Sequence, residues 1–331
     1  MSYGKENKLN KYLPVVIGND LVKSRFKMDL WERRLMYVCM SKLKPTDTEF
    51  PEITFTISEI AKLLDLKSLP KSEYIAIYDA AEKLLERKVK IYENGVYEAF
   101  QWVSYFKCDE NTNVITMKFN EYMKPYLLNL LENKGYTKFL LKFAMPLAST
   151  YAQRIYEMFR GIVWDGNPKA VQRIELQEMR NRLEMPDNRN KLYGHFRTRV
   201  LDIAERQINQ GTDIIIMFKE IRSNTRGKPV IALWVNVALK AYMLHEWDRY
   251  MYWEKGDLLE KLYHIVEKKK GQKIDIKELE KYSHESIARL TYEIVNEKID
   301  MLKIGNHQGF IKWQLEQWQT EIGINQLTLE E

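Results

Sequence analysis

Residues 194–237 read GHFRTRVLDIAERQINQGTDIIIMFKEIRSNTRGKPVIALWVNV. Apolar residues three or four apart give way near Gly211-Thr212 to β-branched, strand-like runs, so the period changes from that of a helix to that of a strand. Two alternating runs, Ile214 to Ile221 and Val230 to Val237, flank Arg222-Ser-Asn-Thr-Arg-Gly-Lys228, the pattern of a hairpin. Upstream, Glu175 to Glu184 is helical, and a Pro-Asp-Asn turn at 186–188 separates it from a helix over Gly194 to Gln210. Helix, turn, helix, hairpin is the order of a winged helix.

The same order occurs earlier in the chain. Thr56 and Glu59 have the spacing of a capping box opening the helix of Ser58 to Leu66, and a turn at Ser68 to Ser72 leads to a second helix over 73–87. Asn94-Gly95 then joins Val89–Ile91 to Val96–Tyr105 as a two-residue hairpin turn. Setting Glu59–Leu66 beside Glu178–Met185 matches apolar positions at an offset of about 120 residues, which implies a duplicated domain.

Around these cores the pattern adds a helix from Asp29 to near Leu43, with Trp31, Leu35, Val38 and Cys39 on one stripe and Glu32, Arg33 and Lys42 turned elsewhere. Val114–Phe119 reads as a strand and Glu121–Glu132 as a helix. Leu147, Tyr151, Ile155, Phe159 and Ile162 line a helix that links the two copies. Further helices are expected over Asp257–Lys269, Ile276–Tyr282, Ser283–Leu302 and Phe310–Trp318, with a basic turn in Lys268–Lys273. The expected fold class is α+β, two tandem winged-helix domains with a helical C-terminal extension. Its divisions are a flexible arm over 1–14, a first winged helix over 15–135, a second over 136–238 and the extension over 239–331.

Composition narrows the functional classes. The 331 residues are 45% hydrophobic and 30% charged, enough for more than one core. A net charge of +6 favours a polyanionic partner. The polar start MSYGKENKLNKYL carries no secretory signal and no stretch approaches a membrane span, so a cytoplasmic location and no membrane partner are expected. Cys39 and Cys108 are far apart and share no metal-ligand spacing, which argues against a disulfide framework, and no metal or other cofactor is expected. His195, His245, His264, His284 and His307 form no His-hydrophobe-His cluster, so a metal-dependent rolling-circle nicking enzyme is the weaker alternative. With no Gly-rich Lys-Ser/Thr phosphate loop either, no catalytic residue is assigned.

The helix of Phe196–Asn209 is the candidate reading element. At about 100° per residue, Phe196, Val200, Ile203, Ala204 and Gln207 face the core, while His195, Thr198, Arg199, Asp202, Arg206 and Asn209 face outward. Such a face suits the major groove of double-stranded DNA, where Arg pairs with guanine and Asn with adenine. Arg199 and Arg206 are the first candidates for base contacts. Arg189 and Lys191 precede the helix, where its N-terminus favours phosphate, and Arg222, Arg226 and Lys228 lie at the hairpin tip. A basic face by itself is compatible with a solvated surface; it is the three elements together that point to DNA. In the first copy Lys71, Lys83, Arg87 and Lys88 are auxiliary DNA candidates, diluted by Glu73, Asp79, Glu82 and Glu86. Its hairpin carries Tyr92, Tyr97, Phe100, Trp102 and Tyr105, a composition found at protein interfaces, so dimerisation is the expected role there.

Three stretches carry a resemblance: Asn19-Asp-Leu-Val-Lys-Ser-Arg-Phe26, Leu147-Ala-Ser-Thr-Tyr-Ala-Gln-Arg-Ile-Tyr-Glu157, and Phe196-Arg-Thr-Arg-Val-Leu-Asp-Ile-Ala-Glu-Arg-Gln-Ile-Asn209 with Thr212-Asp213 following. Over about residues 15–238 the chain resembles the RepB-type replication initiators of iteron-containing plasmids. The resemblance implies monomers that bind direct repeats mainly through the second domain, prepare the neighbouring origin and recruit host helicase, initiator or primase. It also implies dimers that bind an operator, repress their own gene and limit copy number. Carried over, Arg197, Arg199 and Arg206 fall on the recognition helix and Arg222 and Arg226 in the wing. Two departures stand out: Gln207 where the family commonly has Glu, and Lys228-Pro229 where a Gly-Arg-Lys-Val pattern is usual. A winged-helix repressor without initiator activity would share this chemistry. The extension is open between a docking module, a further DNA contact and a packed structural segment.

Overall fold

The computed structural model describes residues 9–44, 47–93, 95–128, 130, 135–185, 192–242, 250, 253, 255–270, 274–296 and 298–327. They form two compact units, 1–237 and 238–331.

The first unit begins β1 (Pro14–Gly18), α1 (Asn19–Lys23), α2 (Leu30–Ser41), β2 (Ile53–Thr56), α3 (Ile57–Leu63) and α4 (Lys71–Lys83). Next come β3 (Lys88–Glu93), β4 (Val96–Gln101), β5 (Val103–Asp109), β6 (Val114–Phe119), α5 (Lys124–Leu127), β7 (Tyr136–Leu140), α6 (Leu141–Ala144) and α7 (Thr150–Arg160). The second half runs β8 (Lys169–Glu175), α8 (Leu176–Arg182), α9 (Tyr193–Phe196), a π turn (Arg197–Leu201), α10 (Asp202–Gly211), β9 (Ile214–Arg222) and β10 (Val230–Leu239). Local chemistry places the helix starts. Asp29 with Glu32, and Thr56 with Glu59, are reciprocal capping boxes, and Ser149 caps α7 by accepting from the Ala152 N–H.

Two three-stranded sheets, β2-β6-β5 and β8-β10-β9, share one order, and each sits with a helix pair, α3–α4 or α8–α10, between its first and second strands in sequence. The duplication is therefore a property of the fold. It also reassigns the first wing. The hairpin at Asn94-Gly95 does pair in a two-residue-turn register, Glu93 opposite Val96, with Gly95 at φ +81°. But β3 and β4 make a separate two-stranded sheet, and the place of the wing is taken by β5–β6. The expected single strand 96–105 is broken because Trp102 is drawn into the core, edge-on to Phe26 at 4.8 Å.

Other expectations are corrected as well. Pro14, assigned to the arm, starts β1, which pairs antiparallel with β7 from Pro14–Leu140 to Gly18–Tyr136. Among the described residues of the helix expected over Glu121–Glu132 there is a 3-10 turn at Glu121–Met123, then α5, which ends at Leu127. Glu32 and Arg33, expected off the apolar stripe, are themselves buried, because α2 is covered nearly all round. Glu32 is met by Arg87, with Nε 3.0 Å and Nη2 2.9 Å from its carboxylate oxygens, and Arg33 Nη1 lies 3.0 Å from Glu157.

α7 carries the polar centre of this unit. Glu157 accepts from Arg33 Nη1, Tyr37 Oη and Arg154 Nη1 at 3.0, 3.0 and 2.6 Å, all within the core. Arg154 also donates to the carbonyls of Val22 and Ser24, both at 2.7 Å, and lies over the Phe26 ring. A buried charge without such partners would be strongly unfavourable. Arg25 adds a surface pair across the two halves, 3.2 Å from Glu178 at the start of α8.

The second unit comprises α11 (Lys255–Lys270), α12 (Ile276–Leu279), α13 (His284–Val295) and α14 (His307–Leu327). Asp275 caps α12 and Ser283 caps α13. The expected helix 283–302 stops at Val295, where Asn296 bonds back to the Tyr292 carbonyl, while the last helix extends beyond the expected Phe310–Trp318. Ile287, Ala288, Leu290 and Ile294 make α13 the buried centre.

Candidate nucleic-acid interface

α9, the π turn and α10 form one continuous helix over 193–211 whose inner row, Phe196, Val200, Ala204 and Ile208, is fully buried. Arg180 of α8 stacks over the Phe196 ring, so apolar packing and a cation share the inner contact. The outer row contains His195, Thr198, Arg199 and Arg206, all exposed. Among the described residues Arg199 and Arg206 make no hydrogen bond or ion pair, so both guanidinium groups keep their donor sets available. Thr198 donates its hydroxyl hydrogen to the Gly194 carbonyl at 3.0 Å.

Asn209, expected on this outer face, and Arg197, placed on the recognition helix by the resemblance, turn inward. Asn209 donates through Nδ2 to the Ile216 carbonyl at 2.9 Å and accepts the Ile216 N–H at 2.7 Å. Arg197 donates to the Phe218 carbonyl at 3.1 Å and pairs with Asp202 at 2.8 Å and Glu205 at 3.4 Å. The physical reason lies in the sheet order: β9 is an edge strand whose outward N–H and C=O groups need partners, and the helix alongside supplies them. Asn209 and Arg197, both DNA candidates from the sequence, are engaged in holding the helix on β9. Gln207, expected inward, does face the interior.

The same edge leads to the wing. Arg222 is four residues beyond Phe218, about 13 Å along an extended strand. Arg222 at the end of β9, and Arg226 and Lys228 in the loop between β9 and β10, are exposed. Arg222 is tied to Glu220 and to the Lys228 carbonyl, whereas Arg226 has no partner among the described residues. The loop closes through the Ser223 N–H to Pro229 carbonyl bond at 2.9 Å, with Gly227 at φ +83°. Arg189 and Lys191 lie outside the described residues.

The first domain presents different chemistry. Its wing tip, Asp109-Glu-Asn-Thr-Asn113, is acidic, and Asp109 Oδ1 accepts the Asn111 and Thr112 N–H groups, which holds its carboxyl below the usual range together with the Thr112 hydroxyl. Lys71, Lys83 and Lys88 are exposed. Arg87 is engaged elsewhere: its hydrogen bonds to the buried Glu32 raise its pKa and fix it in the fold. Of the aromatic residues expected at an interface, Tyr97 and Tyr105 are exposed, Phe100 is half-buried against Tyr122 and Tyr126, and Trp102 is core; the Tyr92 side chain lies outside the description. Among the described residues, no group of three or more His, Cys, Asp or Glu could hold a metal ion, and no helix is long and apolar enough to cross a membrane.

Comparison with known proteins agrees with this architecture. A curated replication initiation protein from Escherichia coli is 25% identical over 298 residues, covering 87% of this chain and 86% of the relative. The solved structure of the Pi initiator protein in complex with iteron DNA superposes with a TM-score of 0.58 at 17% identity, over 70% of this chain and 99% of that one, a likeness of fold. Residues 14–160 match the family model described as "Initiator Replication protein, WH1", and residues 175–234 match "Initiator Rep protein, WH2". With both winged-helix models matched in order on the two copies of the fold, the chain belongs to the initiator replication protein family.

Proposed function

We propose that this chain initiates plasmid replication by binding repeated double-stranded DNA sites, iterons, with the second winged helix as the reading domain. The observation that carries this is the pair Arg199 and Arg206, exposed and without partners among the described residues, on a helix pinned to the strand that leads into a basic wing. Two exposed guanidinium groups on a groove-sized helix can each donate in bidentate fashion to guanine O6 and N7. The Pi initiator, similar in fold, is seen in complex with iteron DNA. Residues 15–135 take an auxiliary part: the acidic wing tip at Asp109 and Glu110 opposes phosphate, while exposed Tyr97, Tyr105 and Tyr122 suit self-association.

Footprinting of the full chain on the DNA around its gene, at stated salt, tests the reading. Arg199→Ala and Arg206→Ala should each lose about 1–3 kcal/mol of sequence discrimination, whereas Arg226→Ala should weaken all sequences alike and reduce the salt slope by about 1. Absence of any protected repeat, or full discrimination in both recognition-helix variants, would exclude it.

A further inference from the structure

Within the recognition helix the Asp202 N–H reaches back five residues to the Arg197 carbonyl, so one turn is wider than an α turn by a residue. Two features explain why it persists. Phe196, Val200, Ala204 and Ile208 are spaced strictly by four and all are fully buried. In an uninterrupted α-helix that row would drift by about 40° per step and leave the core. The wide turn absorbs part of the drift. Arg197, the residue whose carbonyl closes it, is tethered at its other end to Asp202, Glu205 and the Phe218 carbonyl of β9.

The turn has a consequence on the outer face. Seven residues apart, Arg199 and Arg206 would fall within about 20° of one line on a regular α-helix. Arg199 lies inside the wide turn and Arg206 beyond it, so the extra residue swings the second guanidinium off the line of the first. We infer that Arg197 is a positioning residue for sequence recognition: through its tether it holds the wide turn and so sets the angle between the two base-reading arginines. This rests on the DNA-reading role given above to Arg199 and Arg206.

The test compares Arg197→Ala with Asp202→Asn in the full chain, measuring affinity for the footprinted repeat and for random-sequence DNA across a salt series, with thermal melts alongside. If charge alone mattered, the first variant would weaken and the second strengthen binding to both DNAs, leaving their ratio unchanged. Loss of the whole tether in Arg197→Ala instead lowers the ratio by about tenfold, and weakening of its shortest contact in Asp202→Asn lowers it by a smaller factor, although their net charges move in opposite directions. Asp202→Asn keeps the Glu205 and Phe218 contacts, so it decides the matter should Arg197→Ala fail to fold. An unchanged ratio in Asp202→Asn overturns the inference. If Arg199→Ala and Arg206→Ala also leave the ratio unchanged, the DNA-reading role itself has failed; if they lower it, only the role of Arg197 has.

Discussion

Gln207 of the recognition helix caps the helix that links the two domains: its Oε1 accepts the backbone N–H groups of Ala148 and Ser149, both at 3.1 Å, just ahead of α7. The element that reads DNA in our proposal is thereby fastened to the helix whose Arg154 and Glu157 hold the first domain. The acceptor is neutral, where the resembled family commonly carries a carboxylate.

Gln207→Glu should keep both hydrogen bonds and add a negative charge at the positive end of α7. Stability should rise by about 0.3–1 kcal/mol at low ionic strength, and less in salt. The introduced carboxyl would have its pKa depressed in the folded state, so the gain is present above the ordinary carboxylate range and is lost as pH falls through the folded pKa. Denaturant melts at neutral and acidic pH measure both effects.

Asn209→Ala leaves the Ile216 N–H and carbonyl without their side-chain partners on an edge strand. A loss of about 1–3 kcal/mol in unfolding free energy is expected. Because Asn209 does not face the groove, the folded fraction should discriminate sequences as the parent does. Reduced discrimination at unchanged stability would place Asn209 on the DNA after all.

Glu157→Gln strips the charge from a carboxylate shared by Arg33, Arg154 and Tyr37, all deeply buried. Two guanidinium groups would remain in the core around a neutral amide. Breaking a buried pair in this way costs about 3–5 kcal/mol, which chemical denaturation would register as a large fall in midpoint.

Cys39 and Cys108 should separate by reactivity. Burial pushes the Cys39 thiol up to about 12, and it faces Met117 within the core, whereas Cys108 on β5 is only half-buried. Since the thiolate is the reactive form, a thiol reagent near pH 8 should modify Cys108 slowly and reach Cys39 only once denaturant is added. Equal rates in the folded protein would contradict the packing of α2.

Much of the framework was legible because it is written locally. Capping boxes at Asp29 and Thr56 depend on residues three apart, and the change of period after Gly211 depends on a dozen neighbours. The short strands β1, β7 and β8 escaped detection: each earns its place by pairing with residues far along the chain, Pro14 with Leu140 for example. Arg199 and Arg206 were found by helical phase alone. Asn209, chosen by the same rule, and Arg197, carried over from the resemblance, were not separable from them, since their partners on β9 lie outside the helix and the wide turn shifts the phase.

By itself, then, the order of residues settled where the longer helices and the second wing lie, that one unit occurs twice, and that positive charge gathers on the second recognition helix and its wing. Side-chain type and spacing act over a few residues, so such features need no knowledge of the whole. Tertiary structure alone decided which cations remain available and which hairpin serves as the first wing. A guanidinium can reach a partner distant in sequence, as Arg87 reaches Glu32 across 55 positions, and a strand belongs to a sheet only through the neighbour that bonds it.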